Sequence, residues 1–212
     1  AVGTSSLGAN TTGASNTAVG KDSLNANTTG SSNVAVGVTT LDANTTGADN
    51  VAMGNGALGA NTTASNNTAI GHEALAANTT GTLNTAVGQN AGAAITTGIR
   101  NTTVGAASLD AEVAGNYSTA MGYGALSVQS SASGTDVYNT AFGYLAGAAI
   151  TTGTSNTLIG GLSGDAITTG AGNTAVGLGS LSATTTANFN TALGYQALLA
   201  NTTGTQNTAV GS

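Results

Sequence analysis

One histidine, His72, stands beside Glu73, and such a pair is a common starting point for proton transfer or for metal ligation. Nothing in the sequence builds on it. The remaining acids, Asp22, Asp42, Asp49, Asp110, Glu112, Asp136 and Asp165, are scattered singly, whereas a hydrolytic cleft needs carboxylates and bases brought to one place. The absence of cysteine removes thiolate chemistry and disulfides, and no Gly-Gly-x-Gly-x-Asp calcium repeat occurs. The chain is therefore expected to be no enzyme, with no catalytic, cofactor-binding or metal residues and no cofactor. Two features could still bear on ligands. Asn-Thr-Thr, a glycosylation sequon, recurs at Asn10, Asn27, Asn44, Asn61, Asn78, Asn101 and Asn201; the match reads as a by-product of turn chemistry, and the turns or their threonines, being exposed, are the alternative as glycan sites. Of the aromatics Tyr117, Tyr123, Tyr138, Phe142, Tyr144, Phe189 and Tyr195, five gather between residues 117 and 144, and flat rings are what a sugar site uses.

What must position these residues is a repeat. Glycine returns every 17 residues from Gly3 to Gly122 and again from Gly143 to Gly211, with one longer step of 21 between Gly122 and Gly143. A period held this strictly marks an array in which each unit stacks on the last. Seventeen residues are too few for a helical hairpin but hold short extended segments joined by tight turns. The expected fold is all-β: a parallel β-solenoid, or β-roll, of about twelve coils, forming a single array over residues 1–212. The low content of large aliphatics alone would suggest disorder, and the periodicity outranks it.

Bulky apolar residues precede the glycines, as at Val19, Val36, Met53, Ile70 and Phe142, and the sequence reading points this column inward. The residue before each of them is small, as at Ala18, Ala35, Ala52 and Ala86, and is then expected to face outward as a contact between chains. Only Thr103 and Leu158 are large there. A leucine four residues after the glycine, followed two later by alanine, as in Leu24-x-Ala26, reads as strand alternation. Three repeats carry Gly92, Gly147 and Gly164 in place of that leucine and Ile95, Ile150 and Ile167 three positions later. Such a paired swap is what close packing demands, so the isoleucines belong inside. Asn-Thr-Thr-Gly supplies one turn. The asparagines Asn16, Asn33, Asn50 and their successors, with Ser118 standing in once, suggest an amide ladder along the stack. The longer step is expected to be an outward loop from about Gln129 to Asp136.

Asn-Thr-Ala-Val-Gly at Asn84 to Gly88 and Leu-x-Ala-Asn-Thr-Thr-Gly at Leu198 to Gly204 resemble the YadA-like head repeats of trimeric autotransporter adhesins. They resemble still more the shaft repeats of phage tail fibres, because adhesin heads use shorter units. The likeness covers all 212 residues. It implies a left-handed β-roll assembled as a homotrimer and displayed extracellularly, on a virion tail fibre or a bacterial cell surface.

The expected function is thus a structural shaft that holds an adhesive or receptor-binding element for attachment to a host or surface. The alternatives are a lateral glycan-binding adhesin and, more remotely, an ice-binding solenoid, whose faces want Thr-x-Thr within one strand. The expected partners are further copies of the chain and a host-cell or surface glycan receptor, met through regions outside an excerpt that begins and ends in the same phase of the repeat. A net charge of −6, with Lys21 and Arg100 the only cationic side chains, disfavours nucleic acid, and no apolar span suggests membrane insertion.

Overall fold

The computed structural model describes residues 1–212 and contains no helix, so none is long and apolar enough to cross a membrane. Three-residue strands recur once per repeat, from β1 (Thr17–Val19) to β12 (Thr208–Val210). All twelve form one parallel sheet in chain order. Thr17 pairs with Val34, Ala18 with Ala35 and Val19 with Val36, and the same step carries through to Leu193 with Val210. The rest of each repeat is the crossover that a parallel pair requires. The chain is a parallel β-solenoid with eleven strand-to-strand steps.

Each strand ends at a glycine corner. Gly20 has φ 132°, and a Cβ there would collide with the carbonyl of Gly37 one coil on, so both conformation and space demand glycine. Beyond the corner the chain does not form the second strand expected from Leu-x-Ala. The second and fourth residues after the glycine lie in the left-handed region, as at Asp22 (φ 57°) and Leu24 (φ 50°), while their neighbours do not. This alternation curls the segment into successive turns, with Asn27 N–H donating to Leu24 O at 3.2 Å. The same backbone still bonds the next coil, through Leu24 N–H to Thr40 O and Ala26 N–H to Asp42 O, both at 3.0 Å. A left-handed leucine costs about 1–2 kcal/mol. Burying its side chain completely, as at Leu24, Leu41, Leu58 and Leu75, returns about 1.5–3 kcal/mol, which offsets the strain.

The two strand columns are oriented opposite to the sequence expectation. Ala35, Ala52, Ala69 and Ala86 are fully buried, whereas Val19 is 39% exposed, Met53 42% and Phe142 53%. The physical reason is the narrowness of the solenoid. Leucine fills the space from the turn side, and only a methyl group fits opposite it on the sheet side. The isoleucine swap is borne out and has a third member. A Cβ on Gly92 would sit 3.0 Å from Ile95, 3.2 Å from Leu75 and 3.2 Å from Thr103. One on Gly147 would sit 2.7 Å from Leu158 and 3.1 Å from Ile150. The two large residues of the alanine column therefore fill the core beside the missing leucines.

Polar groups inside are organised as two amide ladders. In one, Asn33 accepts through Oδ1 from the backbone N–H of Asn50 at 3.0 Å and donates through Nδ2 to Gly47 O at 2.8 Å. The other comprises the asparagines of the Asn-Thr-Thr-Gly turns. Asn44 Nδ2 donates to Asn27 Oδ1 at 2.9 Å and to Gly47 O at 3.1 Å, tying its own turn and the previous coil together. This second ladder stops at Asn78, whose Oδ1 has no partner because the next coil carries Ile95.

The long repeat departs from the expected loop at both ends. Gln129 is completely buried, and the exposed excursion begins at Ser130. Asn116 bridges to Asp136, and Thr119 pairs with Thr140, which leaves three intervening residues on one coil against two on the other. One of the four extra residues is thus a bulge. It turns Val137 into the core, where it is fully buried, and only the other three lengthen the loop.

Candidate functional site

His72 Nδ1 lies 3.9 Å from Glu73 Oε2, with both side chains about half exposed, and Lys21 pairs with Asp22 at 3.7 Å. No three of the chain's His, Asp and Glu side chains come together in a way that could hold a metal ion. Burial raises the carboxyls of Asp42 and Asp110 above the ordinary aspartate value, and Asp110 Oδ1 finds no hydrogen-bond partner. These two acids lie in separate coils and face no common cleft.

The sequons are structural. The asparagines at 27, 44, 61, 78 and 101 are all buried and hydrogen-bonded, which agrees with the reading of the sequon as turn chemistry for the first four and corrects the alternative that the asparagines themselves are exposed. In the Asn-Thr-Thr-Gly turns each amide is the group that holds the turn, and the second threonine, as at Thr29 and Thr46, faces solvent, whereas Asn101 belongs to the strand-side ladder and its second threonine, Thr103, is buried.

Glu112 is the one buried carboxylate, and the sequence reading did not single it out. It occupies the column of Asn27 and Asn44. Oε1 accepts from the N–H groups of Val113, Ala114, Gly115 and Ser131 at 2.8–3.1 Å, while Oε2 accepts from Gln129 Nε2 at 2.8 Å. Gln129 in turn donates to Ser118 Oγ at 3.0 Å and accepts from Asn139 Nδ2 at 2.9 Å. Burial alone would raise the Glu112 carboxyl, but the hydrogen bonds from Gln129, Gly115, Ser131 and Ala114 outweigh it and hold the group below the ordinary glutamate range. Enclosed by its own turn, this anion braces the fold. Its phase relative to Asn10 and Asn27 was the available signal.

The aromatic residues are brought together. The sheet's outward face consists of the threonine and apolar columns of each strand, bordered by the residue two before the threonine and the residue two after the apolar one. In β7 (Thr119–Met121) and β8 (Thr140–Phe142) those border residues are Tyr117 with Tyr123 and Tyr138 with Tyr144. Tyr117 and Tyr138 stack with centroids 5.1 Å apart and planes 17° from parallel, and Tyr123 and Tyr144 stack at 5.8 Å and 14°. Arg100 caps the first stack, its guanidinium 5.5 Å from the Tyr117 centroid and its Nη1 donating to the Tyr117 hydroxyl at 2.7 Å. At the other end, the charge of Asp136 holds the Tyr138 hydroxyl above the ordinary tyrosine value. Phe142 stands between the stacks, 53% exposed. Phe189 and Tyr195 occupy the same two border columns at β11 (Thr191–Leu193), three strands beyond this band.

The same face is free of charge elsewhere. Lys, Arg, Asp and Glu occur in corners, turns and borders, and none occupies either outward strand column in any coil. Comparison with known proteins finds no matching family model, no matching curated protein and no matching solved structure.

Proposed function

We propose that this chain is a length of shaft in a homotrimeric extracellular or virion fibre, a spacer that holds an adhesive or receptor-binding element away from its base. The observation that carries the reading is the sheet's outward face, a continuous column of half-exposed valine, methionine, isoleucine, phenylalanine and leucine without a single charge. A core of alanine against one leucine per coil is thin for the backbone it must order, and such a face gives the missing burial to a neighbouring chain. Eleven steps of about 4.8 Å make a rod segment of about 53 Å. Left-handed winding and threefold assembly enter through the resemblance of the repeats to tail-fibre shafts. The contact between chains lies on the valine side, because the alanine column expected to serve it is core.

Light scattering on residues 1–212 tests this directly. The expected mass is three times the 19.9 kDa chain, retained on heating, and a stable monomer would sink the reading. The second reading, a lateral glycan adhesin, is favoured by one observation, the exposure of Tyr123, Tyr138 and Tyr144 in the band. Its test is a glycan array probed with the same protein, and uniform silence would end it. Ice binding is not supported by the outward rows, which run Thr-x-Val and are broken by the longer Met53, Phe142 and Leu193.

A further inference from the structure

The regular coils contain nothing that would stop one copy of this chain from sliding along another. Threonine and apolar columns repeat at every strand, so a shift by one coil sets nearly the same side chains against one another. Repetitive faces of this kind leave register weakly specified unless some irregular feature fixes it. The aromatic band of β7 and β8 is the most extensive such feature, and Phe189 and Tyr195 at the borders of β11 form a single further pair. We propose that the outward sheet face seats further copies of this chain in parallel, and that the tyrosines of β7 and β8 lock those copies coil for coil. The inference rests on the fibre reading and goes beyond it by naming the relative direction of the chains and the residues that set their register.

Three observations favour a second copy as the occupant. The two strand columns bear no charge and their borders carry only Lys21, Asp49 and Arg100, although the chain carries a net −6, so identical copies meet there with little repulsion. About 53 Å of length and about 20 Å of width, from one border column to the other, give about 1,000 Å² per chain, an area that adds up to a stable interface only when a chain's contacts with its neighbours are taken together. The aromatics also lie at one height on both borders, Tyr117 and Tyr138 on one side and Tyr123 and Tyr144 on the other. When parallel copies surround a common axis, the first border of each chain meets the second border of the next at the same level. An antiparallel pair would instead set the band against β5 (Thr85–Val87) and β6 (Thr102–Val104), whose borders are Leu83, Gln89, Arg100 and Ala106, with no ring among them.

A sugar is a poorer occupant for these rings. Both faces of Tyr117 are covered, by Arg100 and Tyr138, and stacking takes one face each of Tyr138, Tyr123 and Tyr144, so five of the eight ring faces are already engaged. Carbohydrate stacking needs a bare ring face, whereas ring edges pack well against other aromatic side chains.

Because residues 1–212 contain no cysteine, inter-chain disulfides can report register on this chain. Ser32 and Val38 border the same strand, and Asn55 lies at the second border one coil later. In the otherwise unaltered protein, Ser32→Cys with Val38→Cys should crosslink between chains at least tenfold more than Ser32→Cys with Asn55→Cys. In a background of Tyr117→Ser, Tyr138→Ser, Tyr123→Gln, Tyr144→Gln and Phe142→Val, all residue types that the same columns carry elsewhere, the two yields should come within twofold at unchanged coil content. A monomer in light scattering would overturn the fibre reading and the lock together. An assembly that keeps a single register after loss of the band would overturn the lock alone. So would glycan binding by the band with register unaffected, which would assign it to a carbohydrate.

Discussion

The coils from β1 to β5 and the stretch from Glu112 to Asn139 solve the same problem with different chemistry. In the regular coils, asparagines fill the inward polar column, and each amide both donates and accepts, so every one can bond its own turn and the coil before it. Such a ladder has no intrinsic end and no charge. In the irregular stretch a carboxylate takes the same place, and a carboxylate only accepts. It gathers N–H groups from its own turn and needs a donor from the next coil, which Gln129 provides by reaching across to Ser118 and Asn139 as well. The difference teaches that indefinite stacking favours a neutral, self-complementary side chain. A charged one suits the single place where the coil lengthens and the period must be re-established.

The largest effect is expected where the irregular solution is broken. Glu112→Ala leaves a buried cluster of donors without an acceptor and should cost about 3–5 kcal/mol in denaturant unfolding, as for removal of one partner from a buried charged network. Asn61→Ala, the equivalent change in a regular coil, removes one rung and should cost about 1–3 kcal/mol. Equal losses would show that the two regions are built alike. Acid should separate them further. The Glu112 carboxyl sits below its unfolded value, so its contribution is complete above the ordinary glutamate value of 4.5 and disappears as pH falls through the lower folded value. Asp42 and Asp110 act in the opposite sense, since burial raises them and protonation relieves their desolvation as pH falls. A melting series from pH 7 to pH 3 should therefore show an acid loss that Glu112→Gln flattens, while Asn61→Ala leaves its slope unaltered.

Next in size is the contrast between the two strand columns of one regular coil. Ala86→Val adds volume to a filled core and should destabilise by about 1–3 kcal/mol. Val87→Ala, one residue on, alters a partly exposed side chain and should change the unfolding of the isolated chain by less than about 1 kcal/mol, with any larger effect falling on assembly. The reverse ranking in thermal melts would restore the valine column to the interior.

That contrast also marks what was legible in the sequence. The coil, its period and the isoleucine swap came from spacing alone, because a solenoid repeats its contacts as strictly as its residues. The direction of the strand columns did not, since bulk was taken as the mark of the interior. The corrective signal lay in Thr103 and Leu158, the large residues of the alanine column, which fall in or beside the repeats that have lost a leucine. Leu24-x-Ala26 misled for another reason: alternating left- and right-handed residues reproduce the period of two that a strand would give. Glu112 was grouped with the scattered acids, whereas its phase in the repeat is that of Asn27 and Asn44. Gathering of the tyrosines was visible, but their placement on the two borders of one face required the bulge at Val137, which brings Tyr138 over Tyr117.

The smallest effect is expected within the insertion itself. Its four extra residues divide into a bulge, which delivers buried Val137, and an excursion whose tip, Ala132, Ser133 and Gly134, is exposed. Ser131 is not expendable, because its N–H supports Glu112 at 3.1 Å, and Ser130 N–H continues the ladder to Thr151 O at 2.9 Å. Deleting residues 132 to 134 joins Ser131 to Thr135 and restores the usual turn length while leaving the bulge, the carboxylate and its donors in place. The one hydrogen bond lost inside the tip, Thr135 N–H to Ala132 O, is a local turn contact. Unfolding free energy should stay within about 0.5 kcal/mol of the parent, as for surface changes that touch no packed or bonded feature. Deleting Ser130 to Ser133 instead should approach the loss seen for Glu112→Ala. A substantial loss from the shorter deletion would mean that the excursion helps to hold the irregular coil closed, and the division of the insertion into bulge and loop would fall.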